Sequence, residues 1–550
     1  MRNNGEGPRT FLGGKVVTAD AAVRTIRNGD TLATGGFIGI GFAEGLAIAL
    51  EQRFLGQDSL TSVGSPSGLT LVYSGGQGDG QDRGLNHLAH AGLLKCVIGG
   101  HWGLAPKLQQ LAINNQIEAY NLPQGVISQL FRDIAAHRPG LITRVGLGTF
   151  VDPRSGGGRV NACSQAQLVQ LLRLNGEDFL LYKTFPINVC LLRGTTADEQ
   201  GNISMEREAL TLDSLAIAMA THNSGGTVIV QVERLAKAHS LSSRQVKIPG
   251  ILVDYVVLAD KPERHMQTFA EPYSAVFSGE LQSPPQPHPV TLLDARKIIA
   301  RRAAMELRAH DIVNLGVGIP ECIANIAAEE NLVDLMTLTA EPGVVGGLPA
   351  SGLNFGAATN AEAILDQPYQ FDFYDGGGLD IAFLGLAQVD AKGHVDVSRF
   401  NSHLAGAGGF ISISQNTQRV VFVGTFGAGH LEAKVLQGKL MITREANLKK
   451  FIPCVEQITF NAIDAFARKQ SVLFITERCV FRLSATGLEL TEIAPGIDLE
   501  RDVLARMDFR PSVSTHLKRM DARIFCEPPM SLRDDLLSVR DSRRNHFSEN

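Results

Sequence analysis

The sequence predicts an α/β protein made of two tandem, related domains, each a parallel-rich sheet flanked by helices. Three observations carry this. The chain repeats itself, each half alternates short apolar strands with helices, and glycine turns punctuate the alternation.

The repeat comes first. Val189–Met205 (VCLLRGTTADEQGNISM) falls on Ile381–Val397 (IAFLGLAQVDAKGHVDV) at a constant offset of 192, which persists to Val228 on Val420. Upstream, Asp30–Gly35 falls on Asp311–Gly316 at an offset of 281, and Glu44 lies on Glu321 after a short gap. The 89-residue difference between the offsets assigns extra residues to the first half, within Gly68–Thr184. Within each half, Asp30–Gly36 and Asp311–Gly316 read as first strands. Phe42–Arg53 and Pro320–Glu329 read as the helices that follow, and Leu60–Val63 and Leu335–Thr339 as second strands, which is βαβ wiring.

The expected organisation is a flexible N-terminus over 1–14, a first domain over 15–283, a proline-rich linker over 284–289, a second domain over 290–530 and a polar tail over 531–550. The string Ser283-Pro-Pro-Gln-Pro-His-Pro289 cannot be helical and favours extended geometry, which places the boundary there.

Composition excludes several classes. A chain of 550 residues exceeds one ordinary core, and 44% hydrophobic against 19% charged residues is globular. A net charge of −5 provides no field for nucleic acid or acidic lipid. Seven scattered cysteines without a C-x-x-C pair read as reduced, and no apolar run is long enough to span a membrane or form a secretory leader, so a cytoplasmic protein is expected. His87 and His90 stand three apart without an H-E-x-x-H, and no metal is expected. Both Gly-Lys pairs lack the P-loop context, and Gly64-Ser-Pro-Ser-Gly68 has proline where a nucleophile elbow has serine.

The chemistry sits in the second half. Strand Ile312–Leu315 runs into Gly316-Val-Gly318-Ile-Pro320 and a helix, so backbone N–H groups there can face an anion, although such glycines also serve plain helix–strand packing. The first-half counterpart is Gly35-Gly-Phe-Ile-Gly-Ile-Gly41. The next strand ends in Glu341-Pro-Gly343, where proline holds the glutamate extended at the carboxyl end of a parallel strand, the side on which ligand crevices form. On residues alone the tripeptide also reads as an ordinary turn, and Ser65-Pro-Ser-Gly68 takes its place in the first half. A third glycine set, Asp375–Gly378 and Gly406-Ala-Gly-Gly-Phe410, reads either as close approach to a ligand or as a bulge.

These elements together resemble the family I coenzyme A transferases, closest to the fused acetate or propionate type. The carriers are Gly29-Asp30 through Glu44, Asn314–Pro320, Glu341-Pro-Gly343, Gly406–Phe410 and Ala494-Pro-Gly-Ile-Asp498, over nearly all of residues 15–525. The resemblance implies halves with the fold shared with ribose-phosphate isomerases and a site between them. It implies Glu341 as the nucleophile that forms a glutamyl-CoA thioester, and Asn314 and Gly409 as backbone donors to the oxyanion. It also implies coenzyme A contacts from Gly316, Gly318, Gly406, Gly408 and Gly409. Acyl-CoA and short-chain carboxylates would be the partners, with coenzyme A as substrate, no permanently bound cofactor, and a homo-oligomeric assembly. The succinyl-CoA:3-ketoacid branch has Glu-Asn-Gly where this chain has Glu341-Pro-Gly343, which argues against that branch.

Two alternatives use the same residues. One is an NAD-dependent oxidoreductase with Glu341 on a ribose hydroxyl, and the other a non-catalytic acyl-CoA-binding protein. Small neighbours around Glu341 (Ala340, Val344, Val345, Gly346, Gly347 and, from the first half, Ser65–Ser67) lead to an expected pocket for short monocarboxylates.

Overall fold

The computed structural model describes residues 14–57, 66–284, 292–400 and 403–538. Two large sheets organise it. The first runs in space through Val16–Val17, Tyr255–Leu258, Thr227–Ala236, Val189–Asp198, Thr31–Thr34, Leu69–Tyr73, Leu94–Gly99 and Glu118–Asn121, with every neighbouring pair parallel. The second has a parallel centre of Thr337–Ala340, Ile312–Leu315, Ile381–Gly385, Arg419–Val423 and Ser471–Ile475, extended at both edges by antiparallel pairings and closed at one edge by Ser512–Arg519, which runs parallel to Gly487–Ile493. All ten residues of Val189–Asp198 are buried, the polar Arg193, Thr195, Thr196 and Asp198 included.

The sheet register reproduces both sequence offsets. Leu32 pairs with Val189 as Val313 pairs with Ile381, and Val189 with Thr227 as Ile381 with Arg419. The extra first-half residues build two strands at the sheet edge (Leu94–Gly99 and Glu118–Asn121) and a separate three-stranded sheet of Gly140–Thr143, Glu177–Lys183 and Val169–Leu174.

The register also corrects one equivalence. Ala33 pairs with Val72 as Asn314 pairs with Thr339, so the first-half partner of strand Thr337–Ala340 is Leu69–Tyr73, and Glu341 corresponds to Ser74. Ser65-Pro-Ser-Gly68 precedes that strand and is not the counterpart. The expected strand Leu60–Val63 lies outside the described residues, as do 1–13, linker residues 285–289 and 539–550 of the expected tail. The start of that tail is docked: Leu532 is 4% exposed, and the N–H groups of Met530 and Leu532 donate to the Glu330 carboxylate at 2.5 and 3.0 Å.

The halves meet over a shared core. Phe37, Ile38, Ile40, Leu210 and Phe269 pack with Ala340, Val344, Phe355 and Ala358, while helices Gln124–Ala135 and Gln367–Asp375 lie against each other. Elsewhere, His87 and His90 hydrogen-bond to Glu44 and Glu51, and all seven cysteines are unpaired. No helix among the described residues is long and apolar enough to cross a membrane.

Candidate active site

Strand Thr337–Ala340 delivers Glu341 to the interface between the halves. Gly343 then turns the chain at φ +130°, where a side chain would collide with the Leu365 carbonyl, so the turn requires glycine. Glu341 is 7% exposed, and its Oε2 has no hydrogen-bond partner among the described residues. Burial pushes its carboxyl from an ordinary 4.5 up to about 7, opposed by its own backbone N–H and by the Asn314 side chain.

Asn314 takes a different position from the one the resemblance implies. Its backbone is inside the parallel ladder, paired with Thr339 and Ala382, and cannot serve as an exposed oxyanion donor. Its side chain reaches Glu341 and donates to the Tyr374 hydroxyl at 3.3 Å. That hydroxyl donates to Thr339 Oγ1 at 2.8 Å and accepts from Gln370 Nε2 at 3.0 Å, giving the carboxylate a buried polar backing.

The loop Gly406–Gly409 faces Glu341. Helix Phe410–Asn416 matches helix Ser214–Asn223 of the first half at the offset of 192, but starts later, so glycines replace its first turn. The first half clamps this loop. The Trp102 and Gly103 N–H groups donate to the Ala405 carbonyl at 2.7 and 3.0 Å, Gly408 N–H donates to the Gly100 carbonyl at 2.8 Å, and Gln124 N–H donates to the Gly408 carbonyl at 2.9 Å. Asn121 Oδ1 accepts from Ala407 N–H at 2.9 Å. Gly409 is left beside the acid, with no hydrogen-bond partner for its N–H among the described residues. A cavity of about 340 Å³ opens here, lined by Glu341, Gly316, Gly406, Gly408 and Gly409. Gly318 is not among its lining residues, and its N–H donates to the carboxylate of Glu321 at 2.9 Å, so this turn meets its own anion requirement.

A coenzyme A transferase family profile matches residues 16–259. The caffeate CoA-transferase of Acetobacterium woodii is 46% identical over 518 residues, covering 93% of this chain and 98% of the relative. The chain belongs to the coenzyme A transferase family. The acetate CoA-transferase YdiF of Escherichia coli K12 is 42% identical, covering 94% of this chain and 96% of the relative. The crystal structure of YdiF from Escherichia coli O157:H7 as a thioester complex with CoA superposes at a TM-score of 0.88, with 41% identity over 94% of this chain and 97% of that one. This chain is therefore a transferase, and the dinucleotide-binding reading is withdrawn.

Several lining residues of this coenzyme A transferase escape a sequence reading. His101, Leu104 and Gln124 come from the extra first-half segment, and Phe37, Ile38 and Phe355 form the wall where small residues were expected. Ala340 and Val344 are instead packed in the interface core. His101 is boxed in by glycines; a Cβ on Gly76 would stand 2.6 Å from its Nδ1 and one on Gly103 2.8 Å from its Cε1. Burial, with His403 nearby, lowers its pKa to about 4, so the ring is neutral. Ile38 carries φ +55°, a strained conformation for a β-branched residue, held by bonds to Gly76 and Gly78. The signal available for His101 was the run Gly99-Gly100-His101 at a strand end, which has the same form as the glycine turns that were singled out.

Proposed function

We propose that Glu341 is the nucleophile carrying coenzyme A, as a glutamyl thioester, between a short-chain acyl-CoA and a short-chain carboxylate of the acetate, propionate and butyrate class. The observation that carries this is a buried carboxylate with an unpartnered oxygen facing a glycine loop inside an apolar cavity. A carboxylate deprived of hydration is a stronger nucleophile, and its raised pKa expresses the same desolvation. A relative with 41% identity crystallised as a thioester complex with CoA supports the covalent route.

In the first step a Glu341 oxygen attacks the thioester carbonyl, whose oxygen becomes negative beside Gly409 N–H. A donor so placed is typically worth about 3–4 kcal/mol. The carbon–sulfur bond breaks, leaving an acyl-glutamyl anhydride and CoA thiolate. The thiolate attacks the glutamyl carbonyl, the first acid leaves as its carboxylate, and the glutamyl thioester remains. The acceptor carboxylate then runs the sequence in reverse. Leu384, Leu386, Val397 and Phe400 give an apolar wall suited to the pantetheine arm, and dryness protects the anhydride from hydrolysis. Coenzyme A is substrate and not resident cofactor in this reading, the compartment is the cytoplasm, and copies of the chain associate.

The phenylalanines Phe37 and Phe355, 6.0 Å apart between ring centres, favour a second reading in which a flat arylacrylate also fits. Intact-protein mass after incubation with acetyl-CoA alone tests the proposal. A CoA-sized adduct that vanishes in Glu341→Ala is expected, and its absence from the wild-type chain sinks the assignment.

A further inference from the structure

Behind the cavity, a row of buried polar side chains crosses from one half to the other, and the transfer chemistry leaves it unused. Ser74 Oγ donates to Asp213 Oδ2 at 2.5 Å. Gln367 Nε2 donates to Ser74 Oγ at 2.9 Å and to Asp213 Oδ2 at 3.3 Å, and Gln124 Nε2 donates to Gln367 Oε1 at 3.2 Å. None of the four is more than 2% exposed. Gln124 is the member that reaches the cavity, and its backbone is bonded to Gly408.

The direction of the row follows from chemistry. Burial raises the Asp213 carboxyl to about 6, and above that pH the ionised carboxylate only accepts, so Ser74 donates to it and Gln367 turns its NH2 the same way. That leaves the Gln367 oxygen for Gln124, which must answer with its own NH2. One amide hydrogen of Gln124 is thereby committed, and its oxygen lies 3.8 Å from where a Cβ on the cavity-lining Gly408 would stand. Ser74 holds the position in the first half that Glu341 holds in the second, and Asp213 is the residue before helix Ser214–Asn223, the counterpart of the helix behind Gly409.

We infer that Asp213 and Ser74 are positioning residues of the active site, which through Gln367 hold the amide of Gln124 in the one orientation that meets the reacting acyl group. The inference rests on the reading of Glu341 as nucleophile, because it needs the acyl carbon to sit in this cavity. The first half then keeps its site position as a support for the chemistry of the second.

A double-mutant cycle tests it, with kcat/KM for transfer from acetyl-CoA to propionate and the thermal midpoint measured for each protein. Asp213→Ala is expected to lower kcat/KM tenfold or more in the wild-type background and less than twofold in Gln124→Ala. Asp213→Asn, which keeps an acceptor oxygen, is expected to recover most of the loss. Equal losses with and without Gln124, or no loss from Gln124→Ala itself, overturn the inference. If Asp213→Ala fails to fold, Ser74→Ala answers the same question in the same cycle. The two readings fail separately: a wild-type chain that forms no CoA adduct refutes Glu341, whereas an adduct with additive kinetics refutes only the positioning row.

Discussion

A Cβ placed on Gly409 would stand 3.2 Å from Cγ of Glu341, so the glycine loop sets the space in which the acid can move. Gly409 has φ −79°, a conformation open to any residue, so space and not backbone strain calls for glycine here. Gly409→Ala is expected to lower kcat/KM by roughly ten- to a hundredfold, the effect of a displaced nucleophile, with the thermal midpoint near wild type. Unchanged kcat/KM would show that Glu341 does not react from this position.

Burial of Glu341 links function to stability. Its folded pKa of about 7 lies above the ordinary 4.5, so the folded state disfavours the charge and stability falls as pH rises between those values. Glu341→Gln removes the penalty. The variant is expected to lose transfer yet to melt higher than wild type at pH 8, by an amount on the order of 3 kcal/mol, with the difference closing near pH 4. Thermal melts across that range decide it, and an equal difference at both ends contradicts it.

The same shift predicts the rate profile of the first half-reaction. Only ionised Glu341 attacks, so adduct formation from acetyl-CoA is expected to fall tenfold per pH unit below about 7. Rapid-quench mass spectrometry reads this directly. A midpoint near 4.5 would mean the carboxylate is solvated in the free enzyme.

His101 tests the shape of the pocket. Its ring is neutral at working pH, so His101→Ala should leave the acid limb of the profile where it is. The space released beside Gly76, Gly103 and Gly408 should raise the butyrate-to-acetate ratio of kcat/KM several-fold, in keeping with about 1–3 kcal/mol per methylene. A moved acid limb would mean that the imidazole titrates.

No lysine or arginine is among the described lining residues, so a second carboxylate in the cavity would be buried without a cation. With acetyl-CoA as donor and acetate, propionate, butyrate, caffeate and succinate competing at equal concentration, succinate is expected to be the poorest acceptor. Succinate winning would refute the cation-free pocket. Caffeate winning would favour the arylacrylate reading.

The sequence by itself determined the duplication and its register, because strands that must stay buried on both faces keep their apolar spacing: the offsets of 281 and 192 are those of the paired sheets. It also located Glu341 at the carboxyl end of strand Thr337–Ala340, since a proline and a glycine mark where that strand stops. Ser74 as the partner position was decided only by strand pairing, because Leu60–Val63 and Leu69–Tyr73 are both short apolar runs and local pattern cannot choose between them. The placement of Asn314 likewise came from the ladder, which takes up its backbone and leaves only the side chain for Glu341. Asn121 and Gln124 bond to a loop some 285 residues away, and His101 lies against it, because two added parallel strands bring their carboxyl ends to one edge of the sheet. Contacts of that separation leave no periodic trace in the chain; packing of the two halves creates them.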